Sequence, residues 1–81
     1  MYKIRKDAVK HYGKVIGIRE YCIGTKWKTL KNTIGNSKEP LTDEDLNDFI
    51  LKYKPDEINL ILQDRKGEMH YVDFPTEDLV E

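Results

Sequence analysis

A chain of 81 residues, 38% hydrophobic and 36% charged, is long enough for one domain with a single core and too rich in large apolar side chains for global disorder. Its one cysteine, Cys22, excludes an internal disulfide, and no run approaches the roughly 20 apolar residues that cross a bilayer. The net charge of −1 conceals a sorted distribution: residues 1–38 carry ten Lys and Arg against Asp7 and Glu20, whereas residues 39–81 carry four against thirteen acids.

The opening Met1-Tyr2-Lys3-Ile4-Arg5-Lys6 has no apolar stretch behind its charges, so a signal peptide is not expected, and a lone thiol fits a reducing, cytoplasmic setting. Alternation of Tyr2 and Ile4 with Lys3 and Arg5 predicts a first strand. Residues 14–23, rich in Val, Ile and Tyr, predict a second, with Gly13 at the turn between them. Ala8, Val9 and Tyr12 also fit a short helical turn. Gly17, inside the second strand, marks a bulge or the close approach of another backbone. Trp27, Leu30 and Ile34 then recur at i, i+3 and i+7 before Gly35, which predicts a short helix over 25–34 with a glycine C-cap; an extended run to Leu30 is the alternative. Residues 36–40 form a loop where the charge changes sign.

The strongest local signal is a helix over 42–54. Thr42 takes the N-cap, Asp43, Glu44 and Asp45 fill the first turn, and Leu46 staples against Leu41. Leu46, Phe49, Ile50 and Tyr53 make one apolar stripe, and Pro55 stops the helix. A hairpin over 57–74 follows, with strands at 57–63 and 68–74 joined by Asp64-Arg65-Lys66-Gly67. Met69, Tyr71 and Asp73 share one face of its second strand; Glu68, His70, Val72 and Phe74 share the other, and neither face is purely apolar. Residues 75–81 are either a mobile acidic tail or one capped helical turn. The chain is therefore expected to be a single α+β domain over 1–81, with a mostly antiparallel sheet of about four strands and helical cover on one face.

No pattern demands catalysis. Glu68 and His70 share a strand face, but a surface ion pair is a commoner outcome than an acid–base dyad. His11 lies among cations, and Cys22, in an apolar strand, is expected to behave as a small buried hydrophobe. Asp43, Glu44, Asp45 and Asp48 lack the loop of a calcium site, and Gly24-Thr25-Lys26 inverts the order of a phosphate loop, so neither metal nor cofactor is expected.

The charge sorting points to binding instead. The leading expectation is a non-enzymatic regulatory module that docks a protein or nucleoprotein through opposed faces, one specific version being a mobile-element type of inhibitor acting on a nucleic-acid-handling enzyme. The acidic face would comprise Asp43, Glu44, Asp45, Asp48, Glu77 and Asp78, and the basic face Arg19, Lys26, Trp27, Lys28 and Lys31. The alternatives are an RNA- or DNA-binding domain using the basic half, with Trp27 offering a stacking surface, and a homo-oligomeric structural protein. A blander reading packs Trp27 in the core and lets the two halves neutralise each other within the fold, with surface pairs contributing about 0 to 1 kcal/mol each. No membrane partner is expected.

Overall fold

The structure, a computed structural model, describes residues 2–3 and 10–79. Strands β1 (Lys14–Ile23) and β2 (Lys26–Ile34) are followed by helix α1 (Asp43–Tyr53), strands β3 (Glu57–Gln63) and β4 (Met69–Pro75), and a 3-10 turn (Thr76–Leu79). The strands form one antiparallel sheet in the order β2-β1-β3-β4, so the domain is α+β, the described residues comprising one α-helix against a four-stranded sheet. The expected strand at residues 2–5 and helical turn at 8–12 fall largely outside the described residues; Tyr2 makes an isolated bridge.

Helix α1 forms where its local chemistry directs it. The Thr42 hydroxyl accepts from the Asp45 amide at 3.0 Å, and the Asp45 carboxylate accepts from the Thr42 amide at 3.3 Å, closing a capping box. Lys54 ends it in the left-handed region, φ 49°, directly before Pro55. Leu46, Phe49 and Ile50 are buried, and they join Val15, Ile18, Tyr21, Ile58, Leu60, Leu62 and Phe74 in the core. At one end Tyr21 meets Phe49 and Tyr53, ring centroids 5.5 and 5.0 Å away. At the other the Leu41 amide donates to the Ile16 carbonyl, so the helix runs in the direction of β1.

The predicted helix over 25–34 is instead β2. Gly24, at φ 65°, makes the two-residue turn that folds β2 back on β1, a conformation its neighbour Thr25 does not need to share. Ladder pairing then runs from Ile23↔Lys26 to Glu20↔Thr29 and resumes at Ile18↔Ile34. Residues 30–33 thus oppose Arg19 alone, and this irregular stretch turns Leu30 and Ile34 onto the core. The helical spacing of Trp27, Leu30 and Ile34 is a by-product of that bulge, because Trp27, opposite Cys22, points away from the core cluster.

Strand β1 carries two further bulges against β3, one residue each, at Ile16 and Arg19. Gly17 lies between them, where an added Cβ would stand 2.8 Å from the Ile34 carbonyl oxygen and 2.9 Å from that of Gly35. Both features expected of this glycine are present. In β4, Val72 and Phe74 face the core opposite Leu60 and Ile58, which leaves Met69, Tyr71 and Asp73 on the uncovered side. Leu79 of the 3-10 turn is fully buried; its carbonyl accepts from the Lys3 amide at 2.7 Å, while the Tyr2 amide donates to Asn47 of α1 at 3.0 Å. The two-residue segment 2–3 therefore bridges helix and turn.

Candidate functional site: the uncovered face of the sheet

Helix α1 covers one face of the sheet; on the other, among the described residues, no helix is packed. Alternation along β3 and β4 and the ladder pairs place Ile61, Asn59 and Glu57 on this face, beside Tyr71, Asp73 and Pro75 of β4 and Gly17, Glu20 and Cys22 of β1. Three large apolar side chains are exposed there: Trp27 at 41%, Met69 at 40% and Tyr71 at 53%. The expectation that the single tryptophan is packed inside is thereby corrected. Its place is set by register, since Trp27 pairs with Cys22 while its neighbour Lys28 pairs with the core residue Tyr21.

The concave part of this face is a groove of about 180 Å³. Ile16 and Ile61 line its floor, Met69 and Tyr71 one wall, and Thr33 with Gly35, Asn36 and Ser37 the other. The two β1 irregularities build it. The bulge at Ile16 places that side chain among the groove residues, and Gly17 allows the Ile34–Gly35 backbone to close over the strand. The bulge at Arg19 brings its guanidinium over the Tyr71 ring, 4.7 Å from the centroid. That side chain is 44% exposed, and its ion pair with Glu20 is 4.0 Å long. Next to it lies a polar seam: Glu20 accepts from the Thr29 hydroxyl at 2.7 Å, and Asn59 donates to Asp73 at 2.7 Å. The Asn59 carbonyl oxygen is buried with no hydrogen-bond partner.

The residues expected to form a basic face are not brought together. Arg19 and Trp27 are on the uncovered face, Lys26 and Lys28 pair with Ile23 and Tyr21 and point to the helix side of β2, and Lys31 lies exposed in the irregular stretch. Four residues along the strands and three strand spacings across, Trp27 is about 20 Å from Tyr71. The acidic set is more coherent. Asp43, Glu44 and Asp48 are exposed on α1, and Glu77 and Asp78 on the 3-10 turn, both tied to residues 2–3; Asp45 is engaged in the capping box.

Cys22 is buried, and its thiol donates to the Gly24 carbonyl at 3.4 Å. Burial pushes its pKa up, and the nearby Glu57, Asp56 and Asp73 carboxylates push it further. A thiol so placed is not a nucleophile at neutral pH.

A second polar cluster occupies the β3–β4 turn. Asp64 Oδ2 lies 2.9 Å from His70 Nε2, and Asp64 Oδ1 accepts from the Lys66 and Glu68 amides, each at 2.9 Å. The hydrogen bond from His70, followed by those two amides, holds the Asp64 carboxyl below its ordinary pKa. The strand expected to start at Glu68 starts at Met69, and His70 takes its partner from the other side of the turn, not from Glu68. Sequence reasoning missed Asp64; the signal was present in the tight turn closed by Gly67, which returns the chain beside the residue that opened it.

Searches against protein-family models, curated proteins and solved structures find no match to this chain.

Proposed function

We propose that this chain is a small non-enzymatic binding module that docks a protein partner through the uncovered face of its sheet. The observation that carries the reading is the apolar groove walled by Met69 and Tyr71 beside the Arg19–Tyr71 stack. Exposed aromatic and methionine side chains around a small concave patch, with an arginine at the rim, are the composition of an interface centre. The partner this chemistry fits presents an apolar side chain to the groove and a carboxylate to Arg19, whose existing ion pair is long. The acidic surface on α1 and the 3-10 turn lies outside this contact and supplies orientation and on-rate.

Charge argues for protein over nucleic acid on this face. Lys14 and Arg19 share it with Glu20, Glu57 and Asp73, so a phosphate backbone would meet no net attraction. Stacking on Trp27 would also lack cations on the same side, because Lys26 and Lys28 point to the other. Self-association through the outer edge of β2 is disfavoured too, since it would bring Lys26, Lys28 and Lys31 of two copies together.

The test is quantitative capture from nuclease-treated lysate with three baits: the wild type, Met69→Glu with Tyr71→Glu, and Asp43→Lys with Glu44→Lys and Asp48→Lys. Expected is a defined protein retained by the wild type and by the helix variant but lost from the groove variant, with unchanged far-UV circular dichroism in all three. Loss from the helix variant alone would move the interface to the acidic surface. Capture that depends on nucleic acid, or that survives in every bait, would refute the groove as the docking site.

A further inference from the structure

We propose that the β3–β4 turn is a divalent transition-metal site, with Asp64, Glu68 and His70 as ligands and zinc as the metal it fits best. The side-chain donor atoms of these three residues all lie within 4.8 Å of one another. Zinc bonds of about 2.0 to 2.2 Å set neighbouring tetrahedral ligand atoms about 3.3 Å apart. Asp64 Oδ2 and His70 Nε2, at 2.9 Å, need to part by only about 0.4 Å to reach that spacing, and the Glu68 side chain is exposed and free to turn toward them.

The framework is preorganised by the backbone. Asp64 Oδ1 is fixed by two amides, and the turn is closed by Asp64 N to Glu68 O and Gly67 N to Asp64 O, both 3.0 Å. Oδ2 is thereby aimed at the imidazole, as a ligating carboxylate held by second hydrogen bonds would be. Glu68 directly precedes β4 and His70 is its second residue, and the donor atoms of both lie within 4.8 Å of each other. In the metal-free state the Asp64–His70 hydrogen bond occupies the place of the ion; on binding, the Nε2 proton goes to solvent from an imidazolium or moves to Nδ1 in the neutral ring, which frees the Nε2 lone pair for the metal.

Two carboxylates neutralise a dication, and one neutral imidazole selects among dications. Lys10, Arg65 and Lys66 line the same cleft and oppose any ion held by charge alone, which disfavours magnesium and calcium. A metal gaining covalent character from imidazole nitrogen tolerates them better. Three protein ligands leave a position open to water or to a ligand from a partner.

The experiment is titration of the full chain with zinc chloride, followed by calorimetry and by thermal unfolding, with cobalt absorption as a direct report of coordination. Expected is one equivalent of zinc and a raised Tm, no comparable response to magnesium, loss of binding in His70→Ala, and at least about tenfold weaker binding in Glu68→Gln. The exposed Glu68→Gln change keeps the test meaningful if His70→Ala disturbs the hairpin. Absence of binding at millimolar zinc, or binding that survives both substitutions and is lost instead in His11→Ala, would overturn the assignment.

Discussion

Gly17→Ala tests how the groove is built. The alanine Cβ would sit 2.8 and 2.9 Å from the Ile34 and Gly35 carbonyl oxygens, against the 3.4 Å or more of ordinary contact, and both obstacles are backbone. Relief requires the 34–35 segment to move off β1, which opens one groove wall and lengthens the ladder beside Ile18↔Ile34. Overpacking of this kind costs about 1 to 3 kcal/mol. Replacing glycine returns about 0.4 to 1 kcal/mol through the unfolded chain, so the net loss is about 1 to 2 kcal/mol. At this chain length that is a fall in Tm of roughly 5 to 15 °C. Urea unfolding followed by far-UV circular dichroism measures it, with Gly24→Ala as the comparison, since a Cβ there meets nothing within 4 Å and suffers only its φ of 65°. If Gly17→Ala is as stable as the wild type, the close approach of strand and loop is not the constraint that shapes this face.

Three further outcomes are expected. Thr42→Ala removes the hydroxyl that caps α1 and should lower stability by about 1 kcal/mol in the same urea assay. Asp64, its folded pKa lowered chiefly by the His70 hydrogen bond, contributes stability that is fully present above the unfolded value of about 3.9 and is lost as pH falls through the folded one. In chelator-treated buffer Asp64→Asn should therefore lose less stability than the wild type on acidification; an equal loss would separate the pair from acid sensitivity. Cys22, buried and with its pKa raised by burial and then by Glu57, Asp56 and Asp73, should react with a disulfide reagent at pH 8 only after unfolding.

Helix α1 and the 57–74 hairpin were legible because their determinants are local. A cap, an acidic first turn, a periodic stripe and a proline all lie within fifteen residues of one another, and Asp64 to Gly67 suffices to turn the hairpin. Strand β2 was legible only as the alternative extended run to Leu30, because its state is fixed by pairing to β1 and the bulge at 30–33 imitates a helical period. The same limit applied to β4: which of its mixed faces turned inward depended on Val72 meeting Leu60 and Phe74 meeting Ile58, a matter of register. The groove collects residues from β1, β3, β4 and the 33–37 segment, so residue types such as Arg19 could be singled out in the sequence while their neighbours could not.

The charge sorting acquires a geometry once the helix direction is known. Tyr53 packs on Tyr21, and Lys28 pairs with Tyr21, so Lys28 belongs to the C-terminal end of α1, where Lys52 and Lys54 also lie. The acids Asp43, Glu44 and Asp45 are at the other end, eight to ten residues away, or about 12 to 15 Å along the axis. That exceeds the screening length of about 8 to 10 Å at ordinary ionic strength. Among the described residues, Lys26, Lys28 and Lys31 make no ion pair, and the pairs Arg19–Glu20 and Asp64–His70 each lie within one half of the chain. The helix direction thus sets the acids of its first turn apart from Lys26 and Lys28. Lys26 and Lys28 are therefore exposed toward one end of the helix layer and Asp43, Glu44 and Asp45 toward the other, while the nearly balanced face behind them keeps the exposed aromatic side chains.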